Sequence, residues 1–355
     1  MSGRLRPRSI RFSNSFHTFQ QYVLMWFKKS VYFLFATVLL ASCNGTISLD
    51  SIGNGSEIIV ICTEKQWDGT VGETIRQALM QSMPGLPDAE PQFTPVFIPE
   101  QNSGKFLLTN CNVLLVNIQP ENKAGKIETL TDVWSHPQQV IKIKAGSDTA
   151  FTNLFSKNSE LINSLFHQNE RARFDAQNLL NRNLVVEKML EDEFGIKMII
   201  PKDFYQAKKT SDFVWLRSDT TSMSLGLMIY IYPYKDTAQM NPAAVLASRD
   251  RYTQLYVPGP LKGSYMTTAR EAYAPVPRKI LFKNMFAIET RGLWKTEGDF
   301  MGGPFVNYTI VDAPRERIIV FDGYVYYPNN SKRNYIRQLE SIIWAAEFGE
   351  PGKKK

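Results

Sequence analysis

The chain is poor in the residue types that most often carry nucleophilic and metal chemistry. It holds only three histidines and three cysteines in 355 residues. Neither His136 nor His167 has a cysteine or a carboxylate at the spacing of a metal site, and no G-x-S-x-G segment accompanies them. We therefore predict no bound metal and no cofactor, and we assign no catalytic residue. Enzymatic activity is uncertain on these grounds, and its absence is favoured.

Most of the chain also carries almost no net charge. The formal charge is +7, but residues 1–42 hold six of the basic residues and no acidic residue. The remainder has 35 bases against 34 acids and so presents no electrostatic footprint for nucleic acid. We therefore expect no nucleic-acid partner.

The main apolar run is too short for a membrane-spanning helix, which needs about 20 residues. This run, residues 31–40, follows Lys28 and Lys29 and ends at Leu40-Ala41-Ser42-Cys43. A positive start, a short apolar stretch and small residues before a cleavage point are typical of a secretory signal. The final cysteine makes the segment similar to a bacterial lipobox, which implies that Cys43 is acylated, with palmitate among the chains, after the preceding bond is cut. An uncleaved signal anchor and an accidental match are the alternatives.

The two ends of the chain are set apart by composition. We predict that residues 1–42 are a removable signal peptide with an N-terminal extension that export does not need, so that Met25 is the expected true start. Residues 43–56 are rich in Gly, Ser and Asn and predict a flexible tether. Residues 350–355 form a short basic tail.

The rest of the chain predicts a mixed fold of the α+β or α/β class, with two sheet-and-helix domains joined by a long helical segment. In residues 57–195, short apolar strands and helical patterns alternate, which indicates a sheet covered by helices. The helical pattern over 148–194 predicts two helices or one bent helix packed across this sheet. In residues 196–349, consecutive strands and a final helix over 329–348 favour an antiparallel sheet with helices packed on it.

Five segments carry a resemblance to a known family: the lipobox, EIIVIC (57–62), LPDAEPQF (86–93), FVWLR (213–217) and the stretch from Phe321 to Phe348. Together they resemble a Bacteroidetes lipoprotein family known only as a domain of unknown function. The resemblance covers most of residues 43–349 and implies no known activity. The second domain also resembles the PsbP-like α/β/α sandwich at the level of fold.

Two cysteines remain for the folded body. Cys62 is predicted to end one strand and Cys111 to begin another, so parallel neighbouring strands would hold them too far apart for a disulfide. In an oxidising compartment the two residues could pair. Two buried free thiols are the alternative.

Aromatic and arginine side chains mark a candidate ligand-binding face in the second domain. The strand period of two places Trp215 with Arg217, and Tyr230 with Tyr232, on single faces of their strands. Arginine beside aromatic rings can hold an anionic or sugar-like ligand. The alternative is a sheet face covered by helices, where such side chains pack their stems. The candidate set is Trp215, Arg217, Tyr230, Tyr232, Arg291 and Trp294.

One candidate modification site lies in the predicted tether. Asp50-Ser51-Ile52 fits the loose pattern on which Bacteroidetes periplasmic proteins are O-glycosylated, with Ser51 as the acceptor.

These observations favour a non-enzymatic cell-envelope lipoprotein that binds a ligand or a protein partner. The absence of an acidic run after Cys43 favours the periplasmic face of the outer membrane over the cell surface. The alternative function is an envelope hydrolase, which would use paired carboxylates of the second sheet, or a glycan-binding module.

Overall fold

The computed structural model of the protein describes residues 49–104 and 108–349. The predicted signal peptide, the lipidation site Cys43 and the predicted basic tail lie outside these residues. Within the described residues, seven helices pack against two large sheets, and two short strand pairs complete the fold. The predicted mixed α and β fold is confirmed.

The first sheet is mostly parallel. The strands of this half are, in chain order, β1 (Leu49–Asp50), β2 (Glu57–Cys62), β3 (Thr94–Pro99), β4 (Asn112–Ile118), β5 (Lys126–Thr131), β6 (Ser135–His136) and β7 (Gln139–Ala145). The sheet has the spatial order β3-β2-β4-β7-β5, in which β5 alone is antiparallel to its neighbour. β1 and β6 form a separate parallel pair beside it.

Four helices belong to the first half: α1 (Glu64–Asp68), α2 (Thr70–Leu79), α3 (Asp148–Lys157) and α4 (Ser159–Leu180). The last three cover one face of the first sheet. Val71, Ile75 and Leu79 recur every four residues along α2 and are fully buried against the apolar side chains of the strands, as expected for the inner face of a helix. Burial of each large aliphatic side chain contributes about 1.5–3 kcal/mol, so this layer holds the first half together.

The second sheet is antiparallel and larger. The strands of this half are β8 (Ile196–Lys197), β9 (Tyr205–Lys209), β10 (Phe213–Asp219), β11 (Ser224–Pro233), β12 (Tyr265–Thr268), β13 (Val276–Phe282), β14 (Met285–Glu297), β15 (Gly302–Asp312), β16 (Arg317–Tyr326) and β17 (Glu347–Phe348). The spatial order is β12-β14-β15-β16-β11-β10-β9, and β13 also pairs with β14. β8 and β17 form a short antiparallel pair of their own.

Helices cover both faces of the second sheet. They are α5 (Leu184–Met189), which continues into a π-helical turn (Leu190–Phe194), α6 (Pro242–Tyr256) and α7 (Arg333–Trp344). α5, its π-helical turn and α7 pack on one face, while α6 packs on the other. Asn241 caps α6 by accepting a hydrogen bond from the N–H of Ala244 at 3.0 Å, and Pro242 occupies the first turn, where its missing N–H has no cost.

The structure differs from the expected element bounds at three places. The helical pattern over 148–194 is interrupted after Lys157 and again between α4 and α5, so only its first part covers the first sheet. The sequence pattern over 278–293 predicts a single strand, but the structure has a hairpin, β13 and β14, whose two-residue turn Lys283-Asn284 has positive φ at both residues. Such a turn matches the twist of the strands. The glycines and proline at 302–304 predict a turn, but these residues begin β15.

A polar junction joins the two halves. Glu90, in the loop before β3, accepts hydrogen bonds from the backbone N–H groups of Lys332 at 2.7 Å and Arg333 at 3.1 Å, at the start of α7. A carboxylate is stabilised there by the helix dipole. Further along α7, Arg337 lies 4.5 Å from the centre of the Phe93 ring and 3.9 Å from the Glu170 carboxylate. We name the contacts of Glu90 and Arg337 the junction. The described residues of the two halves form one compact unit.

Residues 49–56, which fall within the predicted tether, belong to the folded body. β1 pairs with β6, and the N–H of Ser56 donates to the buried carboxylate of Glu170 at 2.9 Å. In the part of the chain that the structure describes, no helix has the length and apolar content needed to cross a membrane.

Candidate functional site

The sheet register divides the predicted ligand-binding face. Pairing from β10 through β11, β16 and β15 to β14 puts Arg217 level with Gly292. These two positions therefore share a face, and Trp294 shares it with them, whereas Arg291 lies on the opposite face. The structure brings the other five predicted residues onto one side and separates Arg291 from them.

Most of the aromatic set is covered by α6 and its neighbours. Tyr230 is fully buried, and Trp215 and Trp294 are nearly so. The Trp215 indole donates to the hydroxyl of Tyr324 at 3.1 Å, and the Trp294 indole donates to a backbone carbonyl at 3.2 Å. Arg217 lies 5.0 Å from the centre of the Trp215 ring and pairs with Asp219 at 2.9 Å. These four side chains are thus engaged with the protein itself, and only part of the set can meet a ligand.

Arg291 lies under α7 in a group of buried charges. Its Nε donates to Glu289 at 2.8 Å, and its Nη2 contacts Glu340 on α7. The buried carboxylates of β14 and β16 likewise pair with arginine: Glu289 with Arg291 and Asp322 with Arg249. Hydrolysis of a glycoside needs two carboxylates that face one substrate, and these two each face a guanidinium.

A groove remains open where β11 ends beside α6. Its volume is about 380 Å³, and its walls come from the end of β11, the following turn and the outer side of α6. We name it the tyrosine groove; its lining residues are Tyr232, Pro233, Lys235, Gln239, Ala244, Ala247, Ser248, Arg251 and Tyr252. Tyr232 is the predicted face residue that borders it.

The tyrosine rings of the groove continue a stack that reaches into the core. Tyr230 and Tyr252 stack with ring centres 4.2 Å apart, and Tyr232 lies 6.4 Å from Tyr230 and 6.2 Å from Tyr252. The Tyr252 hydroxyl donates to Asp212 at 3.2 Å. Burial raises the pKa of Tyr232, and burial together with the Asp212 charge raises the pKa of Tyr252. Both phenols therefore stay neutral. Tyr252 is only 8% exposed, so the half-buried Tyr232 supplies most of the ring surface that a ligand can reach.

Two basic side chains stand beside these rings. Lys235 follows β11 and Arg251 lies on the outer side of α6, and both are exposed. Neither forms an ion pair with a carboxylate among residues 49–104 and 108–349. A positively charged rim next to aromatic faces can hold an anionic ring-shaped ligand, since the cations supply charge and the rings supply stacking area.

A second cavity, of about 350 Å³, lies beside Trp294 and the loop that carries Pro87. Its walls are mostly apolar, and its lysines already have partners. Lys295 approaches Glu297 at 3.4 Å, and Lys332 approaches Asp88 at 3.3 Å. The tyrosine groove, whose cations have no such partner in the part of the chain that the structure describes, is the better candidate for a functional site.

Of the residues that line the groove, only Tyr232 was predicted from the sequence. Tyr232 belongs to the period-two pattern of a strand, whereas Arg251 and Tyr252 come from a helix and Lys235 from a turn. The available signal was the spacing of Val245, Arg249 and Tyr252 on α6, three and four residues apart, which identifies the side of the helix that faces the sheet.

The two body cysteines are buried and free. Cys62 ends β2 and Cys111 directly precedes β4, its parallel neighbour, in which Val113 pairs with Ile59. Cys62 and the position opposite Cys111 are then five residues apart along β2, about 16 Å at the usual strand rise. This separation is far above the limit of about 7 Å between Cα atoms for a disulfide.

Ser51, the predicted glycosylation acceptor, is half-buried. Its N–H donates to the carbonyl of His136 at 3.0 Å, and its hydroxyl contacts the thiol of Cys111. Cys43, the predicted lipidation site, lies outside the described residues.

Comparison with known proteins finds similarity to domains of unknown function. No curated protein matches it. A crystal structure of a protein from Bacteroides thetaiotaomicron VPI-5482 is similar at 10% identity and a TM-score of 0.25, over 45% of this chain and 47% of that chain. The chain thus spans about half the length of that structure. The chain matches the models of two domains of unknown function, DUF8532 over residues 51–179 and DUF4837 over residues 183–345.

Proposed function

We propose that the protein is a non-enzymatic lipoprotein of the cell envelope, anchored through Cys43 at the periplasmic face of the outer membrane, and that it binds an anionic, sugar-like ligand in the tyrosine groove. The anchor is supported by the sequence of residues 28–43. The binding role is supported by one structural observation: two exposed cations, Lys235 and Arg251, line the same groove as Tyr232, and neither has an ion-pair partner among the described residues.

The groove suits binding better than catalysis. Its side chains include two cations, neutral tyrosines, a serine and a glutamine, and no carboxylate. Proton transfer at neutral pH needs a group whose pKa lies near the working pH, and the raised pKa values of Tyr232 and Tyr252 move these phenols away from that range. Charge and stacking area remain as the means of holding a ligand.

The binding role can be tested by calorimetric titration with a short polygalacturonate, using a neutral oligosaccharide of equal length as the control ligand. We expect binding of the charged sugar alone, with an affinity that falls as salt is added. Arg251→Ala should weaken binding about tenfold, as expected for loss of one desolvated cation contact. Lys262→Ala, which removes an exposed lysine away from the groove, should leave it unchanged. Equal affinities of the two alanine variants for the sugar would refute the assignment.

The anchor needs a separate experiment. Cells that express the wild-type chain or Cys43→Ala are labelled with a palmitate analogue. We expect label and membrane association for the wild-type protein, and loss of the label for the variant. A wild-type protein that keeps its leader and takes up no label would rule out the anchor and leave the binding assay of the groove unaffected.

A further inference from the structure

Four large apolar side chains are exposed together where α4 ends and α5 begins. Their exposed fractions are 52% for Leu179, 87% for Leu180, 65% for Leu184 and 80% for Val185. We name these four residues the apolar patch. The next residue of α5, Val186, is 7% exposed and packs in the core of the second half. The core of the second half is therefore filled by other apolar side chains, and the four side chains of the patch lie outside it.

The helix that leads to the patch leaves the first sheet at the end where the parallel strands begin. The patch lies beyond that end, where Asn181 and Asn183 hydrogen-bond to the backbone of Lys202 and Ile200. Glu170 on α4 accepts hydrogen bonds from Ser56, just before β2, at 2.9 Å and from Asn112, the first residue of β4, at 2.7 Å. α4 enters this end from the helix-covered face and continues past it. Leu180 is ten residues beyond Glu170, which corresponds to about 15 Å along the helix axis.

The N-terminal segment of the folded body reaches the same end of the sheet. Arg173, less than one helical turn beyond Glu170, donates to the carbonyl of Gly53 at 3.2 Å. Leu49, the first described residue, pairs with Ser135 shortly before the start of β7 and is 60% exposed. Val133 in this neighbourhood is 41% exposed. Apolar side chains and the incoming chain therefore share one end of the first sheet.

We propose that this end of the protein faces the membrane and that the apolar patch inserts into the lipid interface. The inference rests on the proposed anchor at Cys43, which precedes Leu49 by six residues. Six residues span about 20 Å at most when fully extended, so an anchor at Cys43 keeps Leu49 close to the bilayer. Leucine and valine side chains are the type that interfacial helices bury, about 5–10 Å into the boundary between headgroups and acyl chains.

A second copy of the chain or another envelope protein could also cover exposed leucines. One feature favours lipid. The patch lies on the side of the fold that a lipid tether would hold to the membrane, so the bilayer has a higher effective concentration there than partners that diffuse in solution. Arg182, the only charged residue between Leu179 and Val185, pairs with Glu187, so no unpaired charge in this stretch opposes insertion.

Fluorescence quenching by lipids tests this orientation directly. The full chain is purified from the membranes in which it is made, with Leu184→Cys labelled by an environment-sensitive fluorophore, and is reconstituted into vesicles of phosphatidylethanolamine and phosphatidylglycerol. Cys62 and Cys111 are buried and do not compete for the label. The matched control is Leu281→Cys on β13, which has a nearly equal exposed fraction, 67% against 65%. A second labelled variant, Leu180→Cys, guards against a local effect of one substitution.

We expect blue-shifted emission at positions 184 and 180 and quenching by lipids that carry a spin label about 5–10 Å below the headgroups, with neither effect at position 281. Equal emission and quenching at positions 184 and 281 would overturn the proposal. A blue shift at position 184 without lipid quenching would also overturn it, because a protein then covers the patch. Mass measurement of Cys43 in the same preparation reports the anchor independently, and a bare thiol there would refute the anchor. In that outcome Cys43 would also take the fluorophore, so the labelled variants are repeated with Cys43→Ser, and their quenching then decides the position of the patch.

Discussion

Replacing one member of the buried ion pair between Arg249 and Asp322 should destabilise the protein far more than replacing both. Arg249 on α6 donates from Nε and Nη2 to the two oxygens of Asp322 on β16, at 2.8 and 3.3 Å, and both side chains are fully buried. The Arg249 guanidinium also lies 3.8 Å from the centre of the Phe305 ring. Asn307 donates to the same carboxylate at 2.8 Å. The pair therefore fixes the helix that forms one wall of the tyrosine groove.

The magnitude follows from what each substitution leaves behind. Asp322→Asn leaves the Arg249 charge buried without a counter-charge, and loss of one partner of a buried pair costs about 3–5 kcal/mol. Arg249→Met leaves a carboxylate whose pKa burial already raises, so this carboxyl can take up a proton. Its cost should therefore grow as the pH rises above about 4, the ordinary pKa of an aspartate. The double variant holds no buried charge and should lie within about 2 kcal/mol of the wild type.

Urea unfolding followed by tryptophan fluorescence measures these free energies as a double-mutant cycle. The control variant is Glu191→Gln, which removes one partner of an exposed pair with Lys197 at 3.6 Å and should leave the midpoint unchanged. The reasoning fails if Asp322→Asn unfolds at the midpoint of the control. It also fails if the double variant loses as much stability as the two single variants added together.

Two further predictions concern buried titratable groups. Burial alone would raise the pKa of Glu289, but the charges of Arg291 and Arg278 have the larger effect and lower this pKa from 4.5 to about 2. The ionised Glu289 therefore stabilises the fold above a pH of about 4.3, and this stabilisation is lost as the pH falls towards 2. Glu289→Gln should therefore flatten the acid limb of stability against pH, measured by urea midpoints, and an unchanged limb would contradict this. Burial raises the pKa of both Cys62 and Cys111 to about 12, so neither thiol should react readily with a disulfide reagent until the protein unfolds. Rapid labelling of the native protein, or no free thiol after unfolding, would show that this environment is wrong.

The sequence predicted best those features that repeat over short distances. The inner face of α2 and the parallel strands β2 and β4 follow from apolar side chains at helical or strand spacing. The placement of Arg291 and Trp294 on opposite faces of the sheet could also have been predicted, because two residues three apart in one strand point to opposite faces. The structure shows that both residues belong to one regular strand, Met285–Glu297, which begins after the turn at Lys283-Asn284.

The tyrosine groove could not be predicted from the sequence in the same way. It depends on where α6 crosses the end of β11, and no local pattern encodes that crossing. Arg251 and Lys235 are ordinary surface cations in the sequence, and only the three-dimensional structure places both beside Tyr232. The apolar patch is similar, since leucines in a helical pattern predict burial until the path of α4 beyond the first sheet is known.

The junction has a consequence for the order in which the molecule can assemble. Glu90 and the N–H of Lys332 that it accepts are 242 residues apart in the chain. At a synthesis rate of about 5–20 residues per second, the second partner follows the first by roughly 10–50 s. Throughout that interval the carboxylate of Glu90 lacks the helix end that neutralises it in the finished protein. A nascent first half therefore lacks part of its native contacts until the last helix has been made. A chain that lost either half would leave charged side chains of the other half without their partners.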